Sequence, residues 1–255
     1  MIKEETRFSD STVFEGMTSI RAILSSENPG ARQIKKILYD KTKEKSKAKE
    51  LSYLRRISTE RGFSVESISP EELADLAVGN THGGILAMCS ERNFPTPEAD
   101  NIRPDGFYAM IEGIEDPYNF GYAMRSLYAA GVDGIILSPR NWMSAAGVVC
   151  RASAGASELV PIYICEQEVC LQLFKSLAYK VVCADIENSV SLYEADLKKP
   201  IFLIVGGEKR GISRAVLNAA DQIVRIDYGR DFKASLSAAS ASTVLAFEIY
   251  RQNLK

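Results

Sequence analysis

The chain has 255 residues, 46% of them apolar and 25% charged, with a formal net charge of −2. That length suits one large domain or two ordinary ones, and that balance is average for a globular protein. No apolar run approaches the roughly 20 residues that span a bilayer, and the polar, acidic opening MIKEETRFSDST is unlike a signal peptide, so a cytoplasmic protein without membrane contact is expected.

The first ninety residues alternate between helical and strand patterns. TSIRAILSSE (18–27) has helical spacing and is closed by Asn28, Pro29 and Gly30, and QIKKILYD (33–40) reads as a strand. KAKELSYLRRISTERG (47–62) predicts an amphipathic helix with Leu51, Leu54 and Ile57 on its apolar side and a glycine stop. SVESI (64–68) reads as a strand, SPEELADLAV (69–78) as a helix with Ser69 at its N-cap and Pro70 at N1, and GILAMC (84–89) as a buried strand. Between Arg32 and Arg61 eleven Lys/Arg face four acids, a local excess of +7 on an otherwise acidic chain. Such a concentration suits contact with a polyanion, or simply a solvated helix face.

ERNFPTPEADNIRPDG (91–106) holds three prolines and no apolar periodicity, which is a linker composition. The expected division is a domain over 1–92, a linker over 93–106 and a domain over 107–255. In the last of these, FYAMIEGI (107–114), GIILS (134–138), LVPIYI (159–164), KVVCADI (180–186), IFLIVGG (201–207) and QIVRID (222–227) are apolar throughout, with helical segments between most of them. Strands apolar on both faces predict a mostly parallel sheet covered on both sides. The fold class is therefore α/β.

The five cysteines (89, 150, 165, 170, 183) form no CxxC pair and have mostly apolar neighbours, so they read as reduced, buried thiols. With His82 as the only histidine, a His-based zinc site and a Ser-His-Asp triad both lack their parts. The chemistry must lie elsewhere. In open α/β sheets ligands bind beyond the carboxyl ends of the strands. Three segments lie at such places. DPYNFGYAMR (116–125) offers Asn119, Gly121 and Arg125. IFLIVGGEKRGIS (201–213) offers Gly206 and Gly207, which allow close approach of a ligand to backbone, then Glu208. SLSAASASTVLAFEIY (235–250) offers Ser235, Leu236 and Ser237, with Ser235 a plausible cap for the last helix. Taken singly each has a bland alternative: a solvated arginine, a turn, a cap. The second is neither a Walker A loop nor a GxGxxG fingerprint, which disfavours a dinucleotide dehydrogenase.

In this order the three segments resemble the SpoU (TrmH) family of RNA ribose methyltransferases. The first matches a DPxNxGxxxR frame through Asp116, Pro117, Asn119, Gly121 and Arg125. The second matches through Gly206, Glu208, Gly211 and Ser213. The third usually reads Ser-Leu-Asn in the family and here reads Ser235-Leu236-Ser237. RASAGASELVPIY (151–163) resembles the family's connecting segment. The stretch from VFEGMTSIRAIL to NTHGGILA resembles a substrate-binding domain related to small ribosomal RNA-binding proteins.

The resemblance implies a SPOUT-type catalytic domain with a trefoil knot, dimerisation through that domain, and S-adenosylmethionine as methyl donor, with no metal. It implies a cofactor pocket at Gly206, Gly207, Ile226 and Leu236, and a catalytic set of Asn119, Arg125, Glu208, Ser235 and Ser237. RNA would be held through Lys43, Lys45, Lys47, Lys49, Arg55 and Arg56, with ribosomal RNA favoured over transfer RNA as substrate. The alternative is a non-catalytic RNA-binding protein on the same fold, motivated by the altered third segment.

Overall fold

A computed structural model describes residues 12–79, 81–139, 145–207 and 211–254. In chain order it runs β1 (Val13–Glu15), α1 (Gly16–Ser25), β2 (Ile34–Asp40), α2 (Ala48–Arg61), β3 (Ser64–Ile68), α3 (Pro70–Leu76) and β4 (Ile85–Cys89). It continues with β5 (Phe107–Ile111), α4 (Pro117–Ala129), β6 (Gly134–Leu137), α5 (Ala146–Ala152), α6 (Ala156–Leu159) and β7 (Ile162–Ile164). The remainder is α7 (Gln167–Ser176), β8 (Lys180–Ala184), β9 (Val190–Ser191), β10 (Ile201–Val205), α8 (Arg214–Ala219), β11 (Gln222–Arg225) and α9 (Ala238–Gln252). The chain divides into two compact units: Met1–Asn93 with Asn141–Leu159, and Phe94–Arg140 with Val160–Lys255.

The first unit has a four-stranded sheet in the order β1-β4-β2-β3, with only β2 and β3 parallel. Ile20 and Ile23 of α1, Leu51 and Leu54 of α2, and Ala146 and Cys150 of α5 share one apolar cluster with Phe14, Ile37 and Ala87 of the sheet. A second cluster joins Leu73 of α3 to Val13, Leu38 and Leu86. The terminators behave as their residues dictate. Gly62 ends α2 in the left-handed conformation at φ 75°, where a Cβ would be strained. Ser69 and Glu72 form a reciprocal capping box at α3.

The domain expected over 107–255 includes α5 and α6, yet they pack in the first unit. Their anchor is ionic. The Glu158 carboxylate lies 3.3 Å from Arg32 Nε and 3.9 Å from Arg92, with all three side chains at most 5% exposed. Arg92 also donates to the Ser157 carbonyl, and the Arg32 guanidinium sits 4.7 Å from the centre of the Phe14 ring. Burial pulls the Arg92 pKa below its ordinary value, and the nearby Glu158 opposes that shift.

The second unit holds a seven-stranded sheet in the order β7-β6-β5-β10-β8-β11-β9, parallel at every pairing. β10 lies between β5 and β8, so strands distant in sequence meet at the centre. Tyr108, Phe174, Tyr179 and Phe202 pack together in its core, with Phe174 and Phe202 stacked at 4.0 Å. Of the stretch 93–106, expected as a linker, residues 94–106 pack within this unit: the Pro95 carbonyl accepts the Ile164 N–H at 3.0 Å, and Arg103 pairs with Asp133 at 3.0 Å. The apolar run 159–164 is a helix end and then a short strand, because Pro161 falls between them.

All five cysteines are buried and free. Burial pushes the Cys89, Cys150 and Cys183 thiols up to about 12, which keeps them protonated and unreactive at neutral pH. Among the described residues, no helix is long and apolar enough to cross a membrane.

Candidate active site

The site is built in the second unit, where β5, β10, β8 and β11 end side by side. After β5 the chain turns into α4. Asp116 caps this helix by accepting the Asn119 N–H at 2.7 Å, and Pro117 stands in its first turn. Asn119 is half-buried and Arg125 exposed, while Phe120, Gly121 and Met124 are buried. α4 packs along α9, and the hydroxyls of Ser126 and Thr243 join the two at 2.7 Å.

After β10 come Gly206 and Gly207. A Cβ on Gly206 would lie 3.0 Å from Gly211 Cα, and one on Gly207 would lie 2.3 Å from the Gly113 carbonyl carbon. The sequence reading reserves these glycines for backbone meeting ligand. In the structure they serve backbone meeting backbone, since the β10 loop passes against the β5 loop at Gly113. Ser213 caps α8 by accepting the Val216 N–H, and its hydroxyl donates to Glu168 at 2.9 Å. Glu208 lies outside the described residues.

The carboxyl ends of β8 and β11 and the start of α9 enclose a cleft of about 370 Å³. Of the expected site residues Ile226, Ser235 and Leu236 line it; Gly206, Gly207, Asn119, Arg125 and Ser237 do not. Its walls are Ala184, Val224 and Leu245, and its rim carries Tyr228 and Phe232, whose rings lie 6.1 Å apart. The Tyr228 hydroxyl accepts the Leu236 N–H at 2.9 Å, which ties the rim to the residue before the α9 cap. Sequence reasoning passed over Tyr228, Phe232 and Asp185; two aromatics in the polar loop DYGRDF were the available signal. Ser191 and the neighbouring Arg225 hold the Asp227 carboxyl below its ordinary range. Asp185 is engaged by its own turn, accepting the Ile186 N–H at 2.6 Å.

These walls fit the nucleoside part of S-adenosylmethionine. They are apolar with few polar groups, which is the usual makeup of a small-molecule site. Ile186 and Phe232 are 75% and 59% exposed at the rim, apolar surface that a bound ligand would cover.

The α9 cap is a correction. Ser237, not Ser235, is the N-cap: its oxygen accepts the Ser240 N–H at 3.2 Å. Serine and asparagine are about equally good N-caps, so the departure from Ser-Leu-Asn leaves the capping role intact. Ser235 is free to face the cleft. Ser237→Ala is therefore expected to cost about 1 kcal/mol of stability, and Ser235→Ala little stability but some ligand affinity. Denaturant titration and calorimetry on both variants check this, and the reverse ranking would refute the assignment.

Residues 106–247 match the SpoU rRNA methylase family, and residues 13–95 match the RNA 2′-O ribose methyltransferase substrate-binding domain. A 23S rRNA (guanosine-2′-O-)-methyltransferase of Shewanella oneidensis is 29% identical over 75% of this chain and 79% of its own. Another bearing that name, from Xanthomonas campestris, is 25% identical over 93% and 96%. The crystal structure of an AdoMet-bound rRNA methyltransferase from Sinorhizobium meliloti has the same fold, with a TM-score of 0.78 at 22% identity over 96% of this chain and 88% of that one. The chain belongs to the SpoU family of S-adenosylmethionine-dependent RNA methyltransferases.

Proposed function

We propose that this protein methylates a ribose 2′-hydroxyl in structured RNA, with ribosomal RNA its substrate. The observation that carries this reading is the cleft that gathers Ile226, Ser235 and Leu236 at the carboxyl ends of β8 and β11. S-adenosylmethionine supplies an electrophilic methyl group on a sulfonium. What the chain must add is alignment of the hydroxyl and relief of its developing charge. Leu236 and Ile226 hold the nucleoside, and Ser235 offers a hydroxyl in the same cleft.

Arg125 is exposed on α4 and available to RNA. A guanidinium stays protonated in proteins, so it does not serve as a base. Its forked donors hold a phosphate and stabilise alkoxide charge.

The first unit supplies the grip. Arg55 is paired with Glu44 at 2.8 Å and Lys47 with Glu50 at 3.2 Å. Lys45, in the turn before α2, and Lys49 and Arg56 on α2 are all exposed. Converting these three to Glu is expected to weaken RNA binding and lower its salt dependence by about one counterion per lost phosphate contact, with S-adenosylmethionine affinity unchanged. Filter binding across a salt series measures it, and an unaltered slope would make these residues a solvated face.

The second unit leaves Tyr118, Tyr122 and Tyr128 of α4 and Phe247 and Tyr250 of α9 exposed. Exposed aromatics in such number on two packed helices support a homodimer through this surface. The trefoil knot and a cytoplasmic location belong to the same reading.

The decisive test is calorimetry with S-adenosylmethionine, followed by 2′-O-methyl mapping of cellular RNA after incubation with the protein. Cofactor binding without methylation of any RNA would establish the non-catalytic alternative.

A further inference from the structure

The first unit contains a second cleft, of about 320 Å³, that the reaction does not use. It opens where β1 passes into α1, and its other walls come from the start of α2, the loop before β4 and α5 with the turn after it. Its size falls at the lower end of small-ligand pockets, roughly 300–1,000 Å³.

Its charges cancel. Glu15 pairs with Arg151 and also accepts the N–H groups of Val78 and Gly79 at 2.7 Å. Glu50 pairs with Lys47 at 3.2 Å. Two carboxylates and two cations in mutual pairs leave no net attraction for a phosphate. What faces the space instead is neutral hydrogen-bonding capacity over an apolar base. Thr18 is exposed there, and Met17 and Ile85 supply apolar surface. His82 Nδ1 accepts the Gly84 N–H at 3.1 Å, which leaves Nε2–H as the donor of the ring. Gly83 and Gly84, at φ 63° and 83°, shape the loop that carries this imidazole.

The cleft borders the start of α2, where the basic residues gather. Lys47 and Glu50 line it, while Lys45 and Lys49 lie beside them on the exposed surface. A neutral, polar, base-sized cleft next to a row of phosphate-binding cations suits a nucleotide whose base enters and whose backbone stays outside. Paired RNA cannot offer such a base, because its edges face a deep, narrow groove, whereas unpaired bases can be splayed out and read.

We infer that this cleft is a recognition subsite for one unpaired nucleobase of the RNA substrate, held by Thr18 and the His82 imidazole, with flanking phosphates on Lys45 and Lys49. The inference rests on the RNA-methyltransferase reading and adds to it what distinguishes one RNA from another.

The test uses the full chain and two labelled hairpin RNAs of equal length, one fully paired and one with a single bulged nucleotide. Wild type is expected to prefer the bulged hairpin by about tenfold, the scale of one base contact. His82→Ala and the cleft-filling Thr18→Trp are each expected to abolish that preference while leaving the salt dependence and the S-adenosylmethionine affinity unchanged. Thr18 is exposed, so its replacement spares the core. Equal wild-type affinity for the two hairpins, or a preference that survives Thr18→Trp, overturns the subsite and leaves the RNA reading standing. Failure to bind either hairpin at low salt overturns both.

Discussion

Replacing Arg125 with lysine is expected to slow methyl transfer by roughly 10²–10³-fold, the usual cost of losing one preorganised donor at developing negative charge. Lysine keeps the charge and loses the fork. A point-like ammonium cannot hold a phosphate in two directions at once, so the ribose is less well aligned. S-adenosylmethionine affinity should not move, because Arg125 stands outside the cleft. Single-turnover transfer and calorimetry on the same preparation separate the two effects. Transfer near the wild-type rate would make Arg125 an ordinary solvated residue of α4 and would remove the charge-stabilising step from the mechanism.

The second large effect is on stability. Glu158→Ala leaves the guanidiniums of Arg32 and Arg92 buried without their shared carboxylate. Breaking a buried pair from one side typically costs about 3–5 kcal/mol, because the remaining charge is neither solvated nor compensated. Here two guanidiniums lose their carboxylate, while Arg32 still donates to the Ser90 carbonyl and Arg92 to the Ser157 carbonyl. The loss should be read in the first unit, as faster hydrogen exchange at the β2 and β4 amides, while β5 and β10 stay protected. Replacing all three charged residues by apolar ones of similar volume, Arg32→Met, Arg92→Met and Glu158→Leu, should restore much of the stability. If Glu158→Ala leaves exchange at β2 and β4 unchanged, the triad is not what holds α5 and α6 in place.

What could be read from the sequence follows the range of the forces involved. The Ser69–Glu72 box, the Gly62 stop and the continuous apolar strands other than 159–164 are local, and they stand where composition and spacing put them. The strands β1 and β9 have three and two residues, too few for a period to register. The packing of α5 and α6 includes Glu158 meeting Arg32 across 126 positions, and nothing in the small-residue run RASAGAS announces it. The site shows the same division. Ile226, Ser235 and Leu236 came from the family resemblance and lie together in one cleft. Tyr228 acts through a hydrogen bond to Leu236, eight positions on, which only the folded loop reveals. Choosing between Ser235 and Ser237 as the cap needed the backbone itself, since both precede the same apolar helix.

The path of the chain sets a limit on how this protein can be divided. Because Asn141–Leu159 belongs with Met1–Asn93, the polypeptide passes between the two units three times. A cut after Asn93 would separate Arg32 and Arg92 from Glu158, and would remove Cys150 and Ala146 from the apolar cluster under β2. The matched substrate-binding stretch, residues 13–95, thus covers only part of the first unit, which also holds Asn141–Leu159. An exchange of that stretch between relatives is therefore expected to need a compatible β6–β7 connection, and a chimera lacking one should lose the apolar and ionic contacts that Asn141–Leu159 supplies.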